Sequence, residues 1–368
     1  MSRNPSDRRK EEIVRLQSQI IREMAGENLR RVGADLWGPT PDETTPDTPP
    51  PGFPAVPDPF AKEEAKPAQS QEKKEDAPPR ENIEDLKKEL NDYIGLDLIK
   101  KEVDSLINLV TVYALRRQHD LPTEELSLHM VFSGNPGTGK TMIARLMSRI
   151  YHSLGILSKG HLVEVDRSGL VAGYVGQTAL KTADVIKKAL GGVLFIDEAY
   201  ALTTRGPQDF GQEAVETLLK AMEDNKDDLV VIVAGYVDLM NDFVHSNPGL
   251  QSRFNRYMYF PDYTIDEMMA IFDMRMNKAG YTLDEDAREP LRQLILDESE
   301  NAIGFGNARG VRNLFEQAIS RQANRLAKMQ DVTREQLMQI TRSDIPGAED
   351  AAQDEGDDQG GNDAAIPE

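Results

Sequence analysis

The chain has 368 residues, 39% hydrophobic and 29% charged, and a formal net charge of −20. That length holds two domains plus tails, and that charge disfavours a non-specific nucleic-acid coat, which feeds on Lys and Arg. The absence of cysteine excludes disulfides and thiol chemistry, and the five histidines lack the H-x-x-x-H spacing of a zinc enzyme.

Residues 8–31 carry Ile13, Leu16, Ile20 and Met24 at helical spacing, with charges of both signs between them. The expectation for 1–37 is an amphipathic helix, either marginal alone or docking on a partner. Trp37, the only tryptophan, is a possible anchor. Residues 38–80 are rich in proline and charge, a composition expected to form a disordered linker. The body starts near Ile83, with a short apolar entry at 90–95 and a helix over 96–117. Apolar, β-branched runs at 128–132, 162–165, 193–196, 229–233 and 257–260 alternate with helical patterns. That alternation predicts an α/β fold over 81–262, a parallel sheet with helices on both faces. After Pro261 the strands stop. Helical patterns at 265–279, 284–300, 311–329 and 334–340 predict a small all-helical domain over 263–345. Residues 346–368 are acidic without a base, and read as a disordered, solubilising tail. No apolar run approaches membrane-spanning length and the N-terminus lacks a signal-peptide core, so the expectation is a soluble, cytoplasmic protein without a membrane partner.

Two motifs carry chemistry. Gly134-Asn135-Pro136-Gly137-Thr138-Gly139-Lys140-Thr141 fits G-x-x-x-x-G-K-[ST] between a strand and a helix, the context of a phosphate-binding loop. Its glycines let N–H groups turn toward phosphate oxygens, and the helix N-terminus adds partial positive charge. Lys140 would reach the β- and γ-phosphates, and Thr141 would hold Mg²⁺. Asp197 and Glu198 follow the buried run Val193-Leu194-Phe195-Ile196, at the strand edge where α/β proteins bind ligands. Asp197 is placed for the Mg²⁺ shell, and Glu198 to polarise an attacking water. The cofactors expected are therefore ATP and Mg²⁺.

These motifs, the helical domain after the sheet, and Ser252-Arg253-Phe254 resemble an AAA+ ATPase. Further phrases resemble the branch containing the red-type Rubisco activase and the stage V sporulation protein K. They are Leu128-His129-Met130, Lys159-Gly160-His161-Leu162-Val163, Tyr174-Val175-Gly176, the stretch 191–200 and Asn247-Pro248-Gly249. The resemblance covers roughly 85–343. It implies a P-loop AAA+ module followed by a lid domain, assembled as a ring homo-oligomer, expected to be a hexamer. It implies that Arg253 is an arginine finger reaching the neighbouring subunit. It implies a second sensor in the lid, Arg309, with Arg312 as its rival. Ile94 and Gly95 resemble the adenine-side contact. Tyr236 stands where many members carry Asn or Thr as the first sensor. The Tyr174-Val175-Gly176 loop resembles the pore loop with which ring-forming relatives grip polypeptide.

The leading expectation is an ATPase that remodels a protein client not identifiable from the sequence. An ATP-gated assembly platform with slow turnover is the alternative. A nucleic-acid motor is disfavoured by the net charge and the aromatic loop.

Overall fold

The computed structural model describes residues 78–124, 126–174, 176–203, 209–300 and 302–347. The expected helix at 8–31, Trp37, the linker up to residue 77, Val175 and the tail from residue 348 lie outside the described residues.

Helices α1 (Ile83–Asp92) and α2 (Asp97–Gln118) precede β1 (Met130–Gly134) and α3 (Lys140–Ser153). Then come β2 (Leu162–Val165), the short α4 (Arg167–Leu170), α5 (Thr178–Ala189), β3 (Val193–Ile196) and a 3₁₀ turn at Ala199–Leu202. Helix α6 (Gly211–Asp224), β4 (Val230–Gly235), α7 (Val237–His245), α8 (Pro248–Arg253) and β5 (Arg256–Phe260) complete the α/β part. All five strands run parallel, in the order β2-β3-β4-β1-β5. Every residue of β3 and β4 is buried, as expected of parallel strands covered on both faces.

Alternate residues of each strand feed two separate cores. Met130, Phe132, Phe195 and Ile232 face α1, α2 and α3. Val131, Leu194, Ile196 and Val233 face α5, α6, α7 and α8. Strands β1 and β4 are neighbours, yet their following helices α3 and α7 lie on opposite faces. Such a divergence opens a crevice at the C-terminal sheet edge, the usual ligand position in this architecture.

The lid comprises α9 (Ile265–Ala279), β6 (Thr282–Leu283), α10 (Glu285–Ser299), α11 (Ala302–Phe305), α12 (Ala308–Leu326), α13 (Arg334–Met338) and β7 (Gln339–Ile340). Thr264 and Glu267 form a capping box that starts α9 just past the sheet. Lid residues Phe272, Phe315 and Ile340 belong to the same buried core as α1–α3.

Several details differ from the sequence reading. The body opens on α1, which overlaps the entry expected at 90–95 and is capped by Asn82, whose Oδ1 accepts from the Glu84 amide at 3.0 Å. Its polar surface hides it, since only Leu86 and Leu90 are buried. The helix expected at 334–340 stops at Met338. There Ile340 becomes fully buried, and the Gln322 amide donates to the carbonyls of Leu337 (3.1 Å) and Gln339 (2.8 Å). Strands therefore do not end at Pro261: Thr282–Leu283 and Gln339–Ile340 pair in parallel inside the helical lid. Residues 78–80, at the end of the expected linker, touch the body, with the Pro78 carbonyl 2.9 Å from His152 Nε2. Among the described residues no helix is long and apolar enough to cross a membrane.

Candidate active site

The loop from Gly134 to Thr141 leaves β1 and turns directly into α3. Its glycines are required by close approach. A Cβ on Gly134 would overlap the Phe260 carbonyl oxygen, and one on Gly137 would overlap that of Gly306. Gly137 also has a φ of +71°, which side-chain-bearing residues rarely adopt. Thr138 is buried and donates to the Asn135 carbonyl at 2.8 Å, closing the loop on itself. Helix α3 has no side-chain cap at Gly139, so no capping group competes with an anion for its first N–H groups.

Lys140 Nζ donates to the carbonyls of Gly134 (2.9 Å) and Asn135 (2.8 Å). Burial holds its pKa below the ordinary lysine value, against the pull of Asp197; Arg309 adds to the lowering, while Asp262 and Glu198 oppose it. Charges from the ends of β3 and β5 and from the lid thus converge on one ammonium. Thr141 follows at the helix start and is half-buried.

Asp197 leaves β3 with its amide held by the Val165 carbonyl at 2.8 Å, and its Oδ1 accepts from the Glu198 amide at 3.0 Å. Glu198 has a φ of +49° and an exposed side chain. That left-handed turn carries the chain out of the strand at the sheet edge. Tyr200 and Tyr236, from the segments after β3 and β4, stand with ring centroids 6.1 Å apart. Burial first, then the charge of Glu198, pushes the Tyr200 phenol up to about 12. Strand β4 lies between β3 and β1, so Tyr236 leaves the sheet between the acid pair and the phosphate loop.

The lid brings Arg309 to this edge. Its amide lies 3.0 Å from the position a Cβ on Gly137 would take. Arg312 instead pairs with Glu316 at 2.7 Å on the exposed side of α12. Ile94 and Gly95 precede α2 beside the same site. A Cβ on Gly95 would meet Glu267 Oε1 at 2.5 Å and Tyr263 at 3.3 Å. Leu96 and the Tyr263 hydroxyl both approach Gly139. Leu96, Tyr263, Asp262 and Asn307 went unnoticed in the sequence. The Asp262-Tyr263 pair immediately after β5, at the ligand edge, was the available signal.

Two candidates lie apart from this cluster. Arg253 ends α8 and donates to Glu223 Oε2 at 3.0 Å and to the Gly249 carbonyl at 3.4 Å. Its Nε is buried without a hydrogen-bond partner among the described residues. Tyr174 is 74% exposed, and among the described residues neither Gly173 nor Gly176 has a neighbour within 4 Å of an added Cβ. Arg167 links the root of this loop to the catalytic edge. Its Nη1 donates to the Ala201 carbonyl at 2.7 Å, and its Nη2 pairs with Asp209.

The donor set suits a nucleoside triphosphate: a glycine cradle, an uncapped helix N-terminus, a half-buried ammonium and an acid pair at one edge. Among the described residues, no group of three or more His, Asp or Glu could hold a metal ion. A Mg²⁺ ion at Thr141 and Asp197 would draw its remaining ligands from phosphate and water, its usual habit.

Residues 130–262 match the family model described as ATPase family associated with various cellular activities (AAA), and residues 264–355 match the AAA lid domain. Stage V sporulation protein K of Bacillus subtilis is 40% identical over 272 residues, covering 73% of this chain and 84% of that protein. The chloroplastic ribulose bisphosphate carboxylase/oxygenase activase of Cyanidioschyzon merolae is 43% identical over 269 residues, covering 72% of this chain and 90% of that protein. The crystal structure of the FIGL-1 AAA domain shares the fold, with a TM-score of 0.50 at 17% identity over 72% of this chain and 82% of that one. With both parts of the module matched and relatives of this identity spanning them, the chain belongs to the AAA ATPase family, in the branch of stage V sporulation protein K and the Rubisco activase, and it is an ATP-hydrolysing enzyme.

Proposed function

We propose that this ATPase assembles into a ring, a hexamer in the first instance, and remodels a protein client gripped by its Tyr174 loop. The observation that carries this reading is the exposed Tyr174 on an arm with open space around its glycines. A tyrosine offers a large amphipathic surface on two torsions, suited to gripping extended chain of varied sequence. Arg167 supports a coupling between that arm and the catalytic edge, because it holds the segment following Glu198 at Ala201.

In this reading Lys140 and the α3 N-terminus hold phosphate oxygens, and Arg309 adds positive charge from the lid. Thr141 and Asp197 hold Mg²⁺, which when bound neutralises charge on the phosphates. Glu198 orients and polarises the attacking water. Ile94 and Gly95 border the base. Arg253 completes the site of the next subunit, so turnover depends on assembly. A cytoplasmic location without membrane or nucleic-acid partner goes with this reading. The relative from Cyanidioschyzon merolae is named as an activase of ribulose bisphosphate carboxylase/oxygenase. An enzyme complex needing mechanical release is therefore the client class we infer.

The test uses Glu198→Gln, which is expected to bind ATP, hydrolyse it slowly and retain its client. Captured from native extract with ATP, it should hold one protein that is lost when Tyr174→Ala is added. Retention indifferent to Tyr174 would overturn the gripping role.

A further inference from the structure

The lid meets the phosphate loop at Gly306-Asn307-Ala308, and the joint rests on two side chains outside both sequence motifs. Asn307 is 1% exposed and adopts φ 52° and ψ −126°. Residues with a side chain rarely occupy that region and persist there only when their surroundings fix them. Here the surroundings are specific. Asn307 Oδ1 accepts from the Tyr263 amide at 3.0 Å. Its Nδ2 donates to Asp262 Oδ1 at 2.8 Å and to the Pro136 carbonyl at 3.2 Å. Asp262 in turn accepts from Asn135 Nδ2 at both oxygens, 3.0 and 2.9 Å away. The Ala308 amide donates to the Gly137 carbonyl at 3.3 Å. Three successive residues of the phosphate loop, Asn135, Pro136 and Gly137, are therefore tied to the lid directly or through Asp262.

We propose that Asn135, Asp262 and Asn307 form a clasp through which lid position sets the shape of the phosphate loop, making Asn307 a positioning residue for nucleotide affinity. The lid cannot swing about this joint without breaking the Asn307 bonds to the loop. Asp262 also sits where its charge acts on Lys140, so releasing the clasp changes the field at the phosphate end. Coupling of this kind is reciprocal: whatever orders the loop also orders the lid. The inference rests on the nucleotide-site assignment and needs neither the ring nor the client.

The test is ADP affinity of the full chain by calorimetry, with steady-state ATPase kinetics beside it. Asn307→Gly keeps the backbone conformation accessible and removes the side chain. Its Kd for ADP should rise about tenfold or more, the scale of lost bonds to a charged acceptor. KM for ATP should rise by more than kcat falls, because Lys140 and Glu198 are untouched. Asp262→Ala, at an exposed position, should weaken ADP similarly and decides the matter if Asn307→Gly fails to fold. The exchange Asp262→Asn with Asn307→Asp restores one donor–acceptor pair, and should bind ADP better than Asn307→Asp alone. Lys140→Ala is the control for the site itself. If it abolishes binding while Asn307→Gly and Asp262→Ala stay within about twofold of the parent chain, well under the cost of one such bond, the clasp is refuted. If Lys140→Ala binds ADP normally, the nucleotide site is misplaced and the clasp loses its role with it.

Discussion

Two glycine-bearing loops lie beyond strands of the same sheet, one directly after β1 and one after β2 and α4, and their surroundings differ. In the phosphate loop, an added Cβ at Gly134 or Gly137 would run into backbone from β5 or the lid. In the Tyr174 loop, an added Cβ at Gly173 or Gly176 would meet nothing within 4 Å among the described residues. The first loop takes its shape from its neighbours, as a site that stabilises developing charge must. The second is tied down only at its base, where the Ala172 amide donates to Thr178 Oγ1 at 3.1 Å and Lys181 Nζ to the Val171 carbonyl at 3.1 Å, while Tyr174 stands exposed. In the proposed reading, chemistry belongs to the packed loop and work to the exposed one, with Arg167 and the segment after Glu198 between them.

The largest expected effect lies outside both loops and sharpens the division between them. Arg253→Ala should lower ATP turnover by about 10³ to 10⁵, the range known for arginine fingers, while ADP affinity stays near that of the parent chain. Calorimetry and a phosphate-release assay measure the two quantities. A drop in affinity matching the drop in turnover would mean that Arg253 acts within its own protomer.

Next in size is a direct contest between the loops. Gly137→Ala should weaken ADP by about tenfold or more, because its Cβ must displace Gly306 or the phosphate cradle. Gly173→Ala has open space and should leave ADP affinity within about twofold, the scale of an uncoupled surface change. Equal effects from the two substitutions would erase the distinction.

A separate effect, on stability and not on affinity, concerns the sheet beneath both loops. His129 is buried, and its Nδ1 accepts from the Val231 amide at 3.0 Å. Burial, with Arg253 adding to it and a Met222 backbone hydrogen bond opposing it, lowers its pKa to about 4. The unfolded chain therefore binds more protons between that value and the ordinary histidine range near 6.5. The stability contribution of neutral His129 is present above the upper value and is lost as pH falls toward the lower one. Urea unfolding should lose about 2 kcal/mol more between pH 7 and pH 5 in the parent chain than in His129→Gln. Equal slopes would mean that the ring is not held neutral.

What the sequence made legible follows from range. The run at 193–196 coincides with β3 because a buried parallel strand is a short apolar block, and the run at 162–165 coincides with β2, a half-buried edge strand that keeps Leu162, Val163 and Val165 around one exposed Glu164. The phosphate loop and the Asp197-Glu198 pair are motifs of local spacing, so they could be picked out before any fold was known. The strand order could not, since β1 lies between β4 and β5, which the chain reaches about a hundred residues later. Asn307 escaped for the same reason: its bonds to Asp262 and Pro136 span 45 and 171 residues. Helix α1 escaped because its buried face is only Leu86 and Leu90, with charge elsewhere. The lid strands escaped because a two-residue pairing has no periodicity to detect.

The central claim is that the state of the packed loop is transmitted to the exposed one. Hydrogen exchange across residues 167–177 tests it most directly, with Glu198→Gln bound to ATP and then to ADP. The account predicts that exchange in this segment differs between the two nucleotides, and that the difference vanishes in Lys140→Ala. Identical exchange with ATP and ADP, at saturation confirmed by calorimetry, would contradict it.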